Sequence, residues 1–302
     1  MVNIKINGVE VSVEEGTTIL EACRNNGVRI PTLCWLKEIN EIGACRICVV
    51  EMTGARSLVA SCVYPLSKFD EGKNILTHSP AVLESRKTTL QLLLSNHKKK
   101  CLSCARSGNC ELQELCRELG VDDENAFEGV TNDYEIDDSA VHMYRDNNKC
   151  IHCRRCIAAC EKTQGIGVIG ANNRGFNTYI GSAFDMNLAE TACVSCGQCI
   201  AVCPTGALSE KDDTAKVWAA LADPEKVVVV QTAPAVRASI GEAFGYKMGT
   251  PVEGKLAASL KKLGFDAVFD TNFGADLTIM EESNELIERI TNNGVLPMIT
   301  SC

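Results

Sequence analysis

Two cysteine runs constrain this chain more than anything else in it. Cys150-x2-Cys153-x2-Cys156-x3-Cys160 is followed by Cys193-x2-Cys196-x2-Cys199-x3-Cys203-Pro204. Thiolates are the soft donors that iron and zinc select. Cysteines two apart in tight turns converge on one metal more readily than they form a disulfide. With eighteen cysteines in 302 residues, the alternative is a disulfide-rich secreted chain. Met1–Asn7 opposes it, having neither the basic start nor the long apolar stretch of a secretory leader. The expected setting is therefore reducing and cytoplasmic.

The double run has the two-cluster ferredoxin pattern, in which the fourth cysteine of each run ligates the other cluster. It assigns Cys150, Cys153, Cys156 and Cys203 to one [4Fe-4S] cubane, and Cys193, Cys196, Cys199 and Cys160 to the other. His152, inside the first run, reads as a neighbour. A second set is Cys34, Cys45, Cys48 and Cys62, where the small-residue loop Gly43–Cys48 can aim backbone amides at cluster sulfides. Its spacing departs from the plant-type ferredoxin pattern, and four thiolates also suit zinc. The third set, His97, Cys101, Cys104 and Cys110, is open to the same alternative, and His97 beside Lys98–Lys100 also fits a surface histidine. Cys23 and Cys116 are left over and read as structural.

Hydrophobic patterning divides the chain. Val2, Ile4 and Ile6 alternate, Asn7-Gly8 marks a hairpin, and Val9, Val11 and Val13 alternate again. Thr17-Thr18 opens a helix over Ile19–Cys23 that ends near Gly27, and Leu58–Val63 is a further strand. Helical periodicity covers Val82–Leu94 and Leu112–Leu119, while the acidic Asp122–Asp138 reads as a surface loop. After a linker helix in Lys211–Asp223, strands at Val227–Gln231, Ala267–Asp270 and Leu296–Thr300 alternate with helices at Val236–Ala243, Gly254–Leu263 and Leu277–Thr291. That alternation implies an α/β layer. The expected divisions are 1–80, 81–140, 141–210 and 211–302 in an α+β multidomain chain. A net charge of -9 argues against a nucleic-acid groove, and no apolar run reaches the length of a membrane span.

Taken in order, these features resemble the iron-only hydrogenases of the large, multi-cluster type. Thr232–Arg237, Gly241–Gly245 and above all Phe269–Glu282 resemble the opening of the catalytic domain of that family. Thr300-Ser301-Cys302 resembles the start of its first active-site motif. The resemblance implies a β-grasp [2Fe-2S] domain, a small helical domain whose histidine and three cysteines hold a [4Fe-4S] cluster, and a two-cluster [4Fe-4S] ferredoxin domain. It further implies the start of an α/β catalytic domain whose active-site H-cluster is expected only in a full-length protein. The implied function is an electron relay feeding reversible reduction of protons to hydrogen. Glu282, Glu285, Arg289 and Cys302 fall at its proton-relay positions. Glu282 and Glu285 share a helix face, and Arg289 lies four residues beyond Glu285.

A ferredoxin, or a nicotinamide- or flavin-linked partner subunit, is the implied electron carrier, and Lys98–Lys100 fits either a docking point for an acidic carrier or a plain solvated face. A relay subunit of a complex I-like or formate-oxidising assembly shares the amino-terminal layout and is the competing reading. This chain has no Gly-rich dinucleotide loop of its own.

Overall fold

The computed structural model describes residues 1–123 and 125–300. The chain forms two units, Met1–Lys211 and Asp212–Cys302.

The first unit opens with the hairpin of β1 (Val2–Ile6) and β2 (Val9–Val13). Asn7 and Gly8 take positive φ of 51° and 86°, the conformation that matches a two-residue turn to the twist of the strands. The inward side chains Val2, Ile4 and Ile6 are buried. α1 (Ile19–Asn25) starts at a capping box between Thr18 and Glu21 and packs Ile19, Leu20, Ala22 and Cys23 inward. β3 (Val49–Met52), β4 (Val59–Ala60) and β5 (Asn74–Leu76) complete a five-stranded sheet in the order β2-β1-β5-β3-β4, with β1 and β5 parallel. The strand expected over Leu58–Val63 is confined to Val59–Ala60. Beyond it the Ser61 hydroxyl and amide both donate to the Cys48 carbonyl, and the Cys62 thiol lies beside that of Cys48.

α2 (Pro80–Ser95) begins at Ser79, whose hydroxyl accepts from the Val82 amide. Its Val82, Arg86, Leu90 and Leu94 are buried at intervals of one helical turn. α3 (Glu111–Glu118) presents Leu112 and Leu115 to Leu90 and Leu94, in a core shared with Leu33, Ile47 and Ile151. β6 (Met143–Arg145) pairs antiparallel with β9 (Leu208–Glu210), closing a third core around Met143, Ile169, Ile180 and Leu208. Between them lie the short helices α4 (Arg155–Ala158) and α5 (Gln198–Ala201) and the antiparallel pair β7 (Gly170–Asn172) and β8 (Tyr179–Gly181).

In the second unit α6 (Thr214–Leu221) leads to β10 (Val229–Thr232), which pairs in parallel with β11 (Ala267–Asp270). α7 (Pro234–Ala243) and α8 (Glu253–Leu263) form the crossover, and α9 (Thr271–Thr291) follows β11. Two expectations fail here. The last helix starts at Thr271 rather than Leu277: Gly274, which breaks the sequence pattern, is there because Gln231 Nε2 lies 3.1 Å from where a Cβ would stand. Leu296–Thr300 is not a strand. Pro297 has no amide to give a ladder, and the Val295 carbonyl instead accepts from Arg289 Nη1 at 3.0 Å.

Candidate metal centres

Cys34, Cys45, Cys48 and Cys62 are all buried free thiols. The Gly43–Cys48 loop turns on Gly43 (φ 61°) and Arg46 (φ 60°). A Cβ at Gly43 would stand 3.0 Å from Val63 Cγ2. The thiols meet as two pairs. The Cys34 thiol and neighbouring amides, that of Ile47 among them, lower Cys45 to about 6 against the effect of burial. The Cys62 thiol lowers Cys48 to about 7 in the same way, while Cys34 and Cys62 themselves are raised. Two thiols that readily give up protons, each paired with a second sulfur and with amides directed at it, suit a thiolate-bound centre. The Arg86 guanidinium, almost wholly buried, lies against this set and donates to the Val49 carbonyl at 2.8 Å. Burial pushes its pKa down to about 10, opposed by the charge of Cys48.

His97 follows the end of α2, Cys101 starts a single 3-10 turn, and Cys110 caps α3. With Cys104 they line one cavity of about 350 Å³, which Cys116 and Gly206 also border. His97 Nδ1 is buried without a hydrogen-bond partner. Burial, reinforced by the charge of Lys149, lowers the ring's pKa to about 4, so the imidazole stays neutral, as a metal ligand must. Gly206 approaches so closely that a Cβ would stand 2.5 Å from Cys104 Sγ. A nitrogen with nothing to bind, three thiols and a backbone cut back to glycine fit a bound metal centre. A surface role for His97 does not fit that orphaned nitrogen. Lys98 and Lys99 are half-buried at the rim, with Lys99 Nζ donating to Asn125 Oδ1 at 2.6 Å.

The two long runs fold alike. His152 and Arg154 take φ of 53° and 62°, and Ser195 and Gly197 take 58° and 71°. Each C-x2-C-x2-C segment therefore turns through two left-handed residues before its short helix, a geometry that gathers backbone amides toward one side. The runs also exchange their ends. One cavity is lined by Cys150, Cys153, Cys156 and Cys203, and a second by Cys160, Cys193, Cys196 and Cys199. Burial raises Cys150 and Cys153 to about 12 and Cys199 to about 11, and raises Cys156 strongly. Ionising thiols this deep calls for a cation or cluster to compensate them.

Several residues that bind these sites together carry no sequence signal. The Asn40 amide is buried and donates both to the Cys34 carbonyl at 2.7 Å and to the Cys153 carbonyl at 3.0 Å, joining the Cys34 set to the first long cysteine run. Arg106 donates to the Cys203 carbonyl at 2.9 Å and lines the His97 cavity. Arg155 pairs with Glu111 at 2.6 Å, joining α4 to α3. In the second unit, Glu285 and Arg289 form an ion pair on α9. Glu285 is exposed and Glu282 half-buried. Cys302 lies outside the described residues.

Cavities rimmed by three cysteines and a histidine, or by four cysteines, joined through short backbone links, mark a protein with several thiolate-rich centres. The sequence comparisons name the kind. Residues 1–79 match the 2Fe-2S iron-sulfur cluster binding domain, 86–125 the NADH-ubiquinone oxidoreductase-G iron-sulfur binding region, and 149–207 the 4Fe-4S dicluster domain. Residues 226–302 match the iron only hydrogenase large subunit, C-terminal domain. Along its whole length the chain is homologous to iron-only hydrogenases. It is 49% identical to the NADP-reducing hydrogenase subunit HndD of Solidesulfovibrio fructosivorans and 42% identical to iron hydrogenase 1 of Clostridium pasteurianum, matching along 100% of its own length in both cases. It covers 53% and 52% of those two proteins, so it spans about half the length of the curated relatives it matches. The NADH-ubiquinone oxidoreductase 75 kDa subunit of Reclinomonas americana is 33% identical over 72% of this chain, which covers 31% of that protein. Among solved structures, an NAD+-reducing [NiFe]-hydrogenase in the H2-reduced state superposes with a TM-score of 0.64 at 29% identity, over 70% of this chain and 87% of that one. Among the described residues no helix is long and apolar enough to cross a membrane.

Proposed function

We propose that this chain relays electrons to and from the site of reversible proton reduction in an iron-only hydrogenase (2 H+ + 2 e- = H2). Cys34, Cys45, Cys48 and Cys62 would hold one [2Fe-2S] cluster. His97, Cys101, Cys104 and Cys110 would hold a [4Fe-4S] cluster, and the two crossed cysteine sets a [4Fe-4S] cluster each. Such clusters supply one-electron carriage, with potentials set by cluster type, charge and hydrogen bonds to sulfur. The single observation that carries this reading is the exchange of ends: each of two neighbouring cavities takes three cysteines from one run and the fourth from the other. By this reading 1–80 is a β-grasp ferredoxin-like domain and 81–140 the small helical His/Cys3 domain. Residues 141–210 are then the two-cluster ferredoxin domain, and 211–302 a linker and the opening of the catalytic domain.

The chain's own residues divide the remaining work. The left-handed turns orient backbone amides, the apolar cores keep water from the buried thiols, and Asn40 holds the Cys34 lobe against the two-run lobe. Glu282, Glu285, Arg289 and Cys302 would serve proton transfer in the whole protein. The electron partner we favour is a nicotinamide-linked subunit, because one relative is described as NADP-reducing and a structural neighbour as NAD+-reducing. Ferredoxin is the alternative carrier. The competing reading, a complex I-like or formate-oxidising relay, accounts for the first 210 residues but not for the match over 226–302.

The test is anaerobic reconstitution of the chain, with iron and sulfide counted and hydrogen evolution assayed from reduced viologen dye. The expected result is about 14 irons per chain and four electron-spin signals without hydrogen. A count of about four metals, one per ligand set and without sulfide, would refute the relay.

A further inference from the structure

Two side chains border both crossed cavities, Leu208 and Arg145, and only the second carries a charge. Arg145, at the end of β6, lines the Cys150/Cys153/Cys156/Cys203 cavity and the Cys160/Cys193/Cys196/Cys199 cavity alike. It is 8% exposed. Its Nη2 donates to Asp137 Oδ2 at 2.9 Å, while Nε and Nη1 are buried without any partner. Asp137 is itself fixed by the Ser139 hydroxyl at 2.6 Å and the Leu188 amide at 3.1 Å. A guanidinium is never deprotonated under ordinary conditions, so this is a fixed positive charge in a dry site. Leaving two of its donors unpaired there is costly unless something in the cavities accepts from them. The occupants must present anionic sulfur on the sides facing β6.

We infer that Arg145 is a shared positioning residue for the two cubanes, its Nε and Nη1 donating to their sulfur and its charge raising both reduction potentials together. Asp137 sets how much of that charge the clusters feel. A cation shared by two relay centres shifts them in the same direction. The inference rests on the crossed-cubane reading of the proposed function. Nothing in the ligand motif points to it: β6 lies before the first run, and the arginine reaches the second cluster only because β6 pairs with β9.

The experiment is an electron-spin redox titration of the reconstituted full chain, with iron and sulfide counted for each sample. Arg145→Met is expected to make reduction of both crossed cubanes about tenfold less favourable, about 59 mV lower for one electron. Arg145→Lys, which keeps the charge and loses the fork, should fall in between. Asp137→Asn should shift the same two centres the opposite way, because it leaves the cation uncompensated. The two-iron and His97 centres should move little in all three. Arg145→Met with full iron and both potentials unmoved would overturn the inference, as would shifts of the same sign in Arg145→Met and Asp137→Asn. Should Arg145→Met fail to fold, Asp137→Asn alone decides by the sign of its shift. If the unmodified chain binds no four-iron clusters, the crossed-cubane reading falls and the inference with it.

Discussion

Replacing Gly206 by alanine gives a sharp prediction, because a single methyl group would report whether the His97 site is a metal centre. The new Cβ would stand 2.5 Å from Cys104 Sγ, against 3.4–4 Å for ordinary contact. The sulfur or the backbone must therefore give way by about 1 Å. Its other neighbours, Arg106 Cγ at 3.6 Å and Lys149 Cδ at 3.7 Å, need not move. Gly206 is not among the glycines with positive φ, so backbone strain does not enter. Overpacking of this size costs roughly 1–3 kcal/mol, which the fold can tolerate, but a ligand site tolerates displacement of only about 0.2 Å. The predicted result is a folded chain that loses one centre, with iron falling by about four per chain. The electron-spin signal of that centre should vanish while the others persist. Gly170→Ala, with no atom within 4 Å of its Cβ, is the control and should keep full iron. A Gly206→Ala chain with full iron and an unchanged spectrum would refute the argument that Cys104 is held in place for a metal.

Three further outcomes are expected. His97→Ala should lose the same single centre as Gly206→Ala, whereas a surface histidine would leave the iron count intact. Asn40→Ala strands the Cys34 and Cys153 carbonyls, at a cost of about 2–3 kcal/mol. Hydrogen exchange should then quicken around both Cys34 and Cys153, and quickening at only one would show that the clip is not shared. Asp70 is buried; desolvation alone would raise its pKa, but hydrogen bonds from Lys73, Ser67 and Tyr64 carry it below the usual carboxylate value. A depressed folded pKa contributes stability above the unfolded value near 3.9, and that stability is lost as pH falls through the folded one. Asp70→Asn should therefore lower the urea midpoint at pH 7 by about 1–3 kcal/mol equivalent, with the gap narrowing below about pH 4. A gap that widens on acidification would reverse the sign and sink the assignment.

What could be read from the sequence was local or periodic. The cysteine runs have fixed spacing because a few residues must close around one metal, so that chemistry is written in neighbouring positions. The β1–β2 hairpin was legible from strict alternation around Asn7-Gly8, and α1 and α2 from caps and helical spacing. β3 and β5 escaped because each is only three or four residues long and gains its identity from partners across the sheet. The last helix was started too late because Gly274 counts as a breaker locally, while the close approach of Gln231 explains it tertiarily. Pro297 likewise undid a strand that composition alone favoured.

Long-range convergence was beyond the sequence. Asn40 and Cys153 are 113 positions apart, and no spacing rule connects a lone asparagine to a distant carbonyl. Gly206 is one of 23 glycines, singled out only by the sulfur packed against it. Arg145 belongs to no motif, yet the pairing of β6 with β9 sets it between two cavities. The sequence alone determined which side chains offer soft metal donors at close spacing, because that depends on residue type and neighbouring positions. Only the tertiary structure decided which buried charges and amides surround those atoms, because electrostatic fields act through space rather than along the chain.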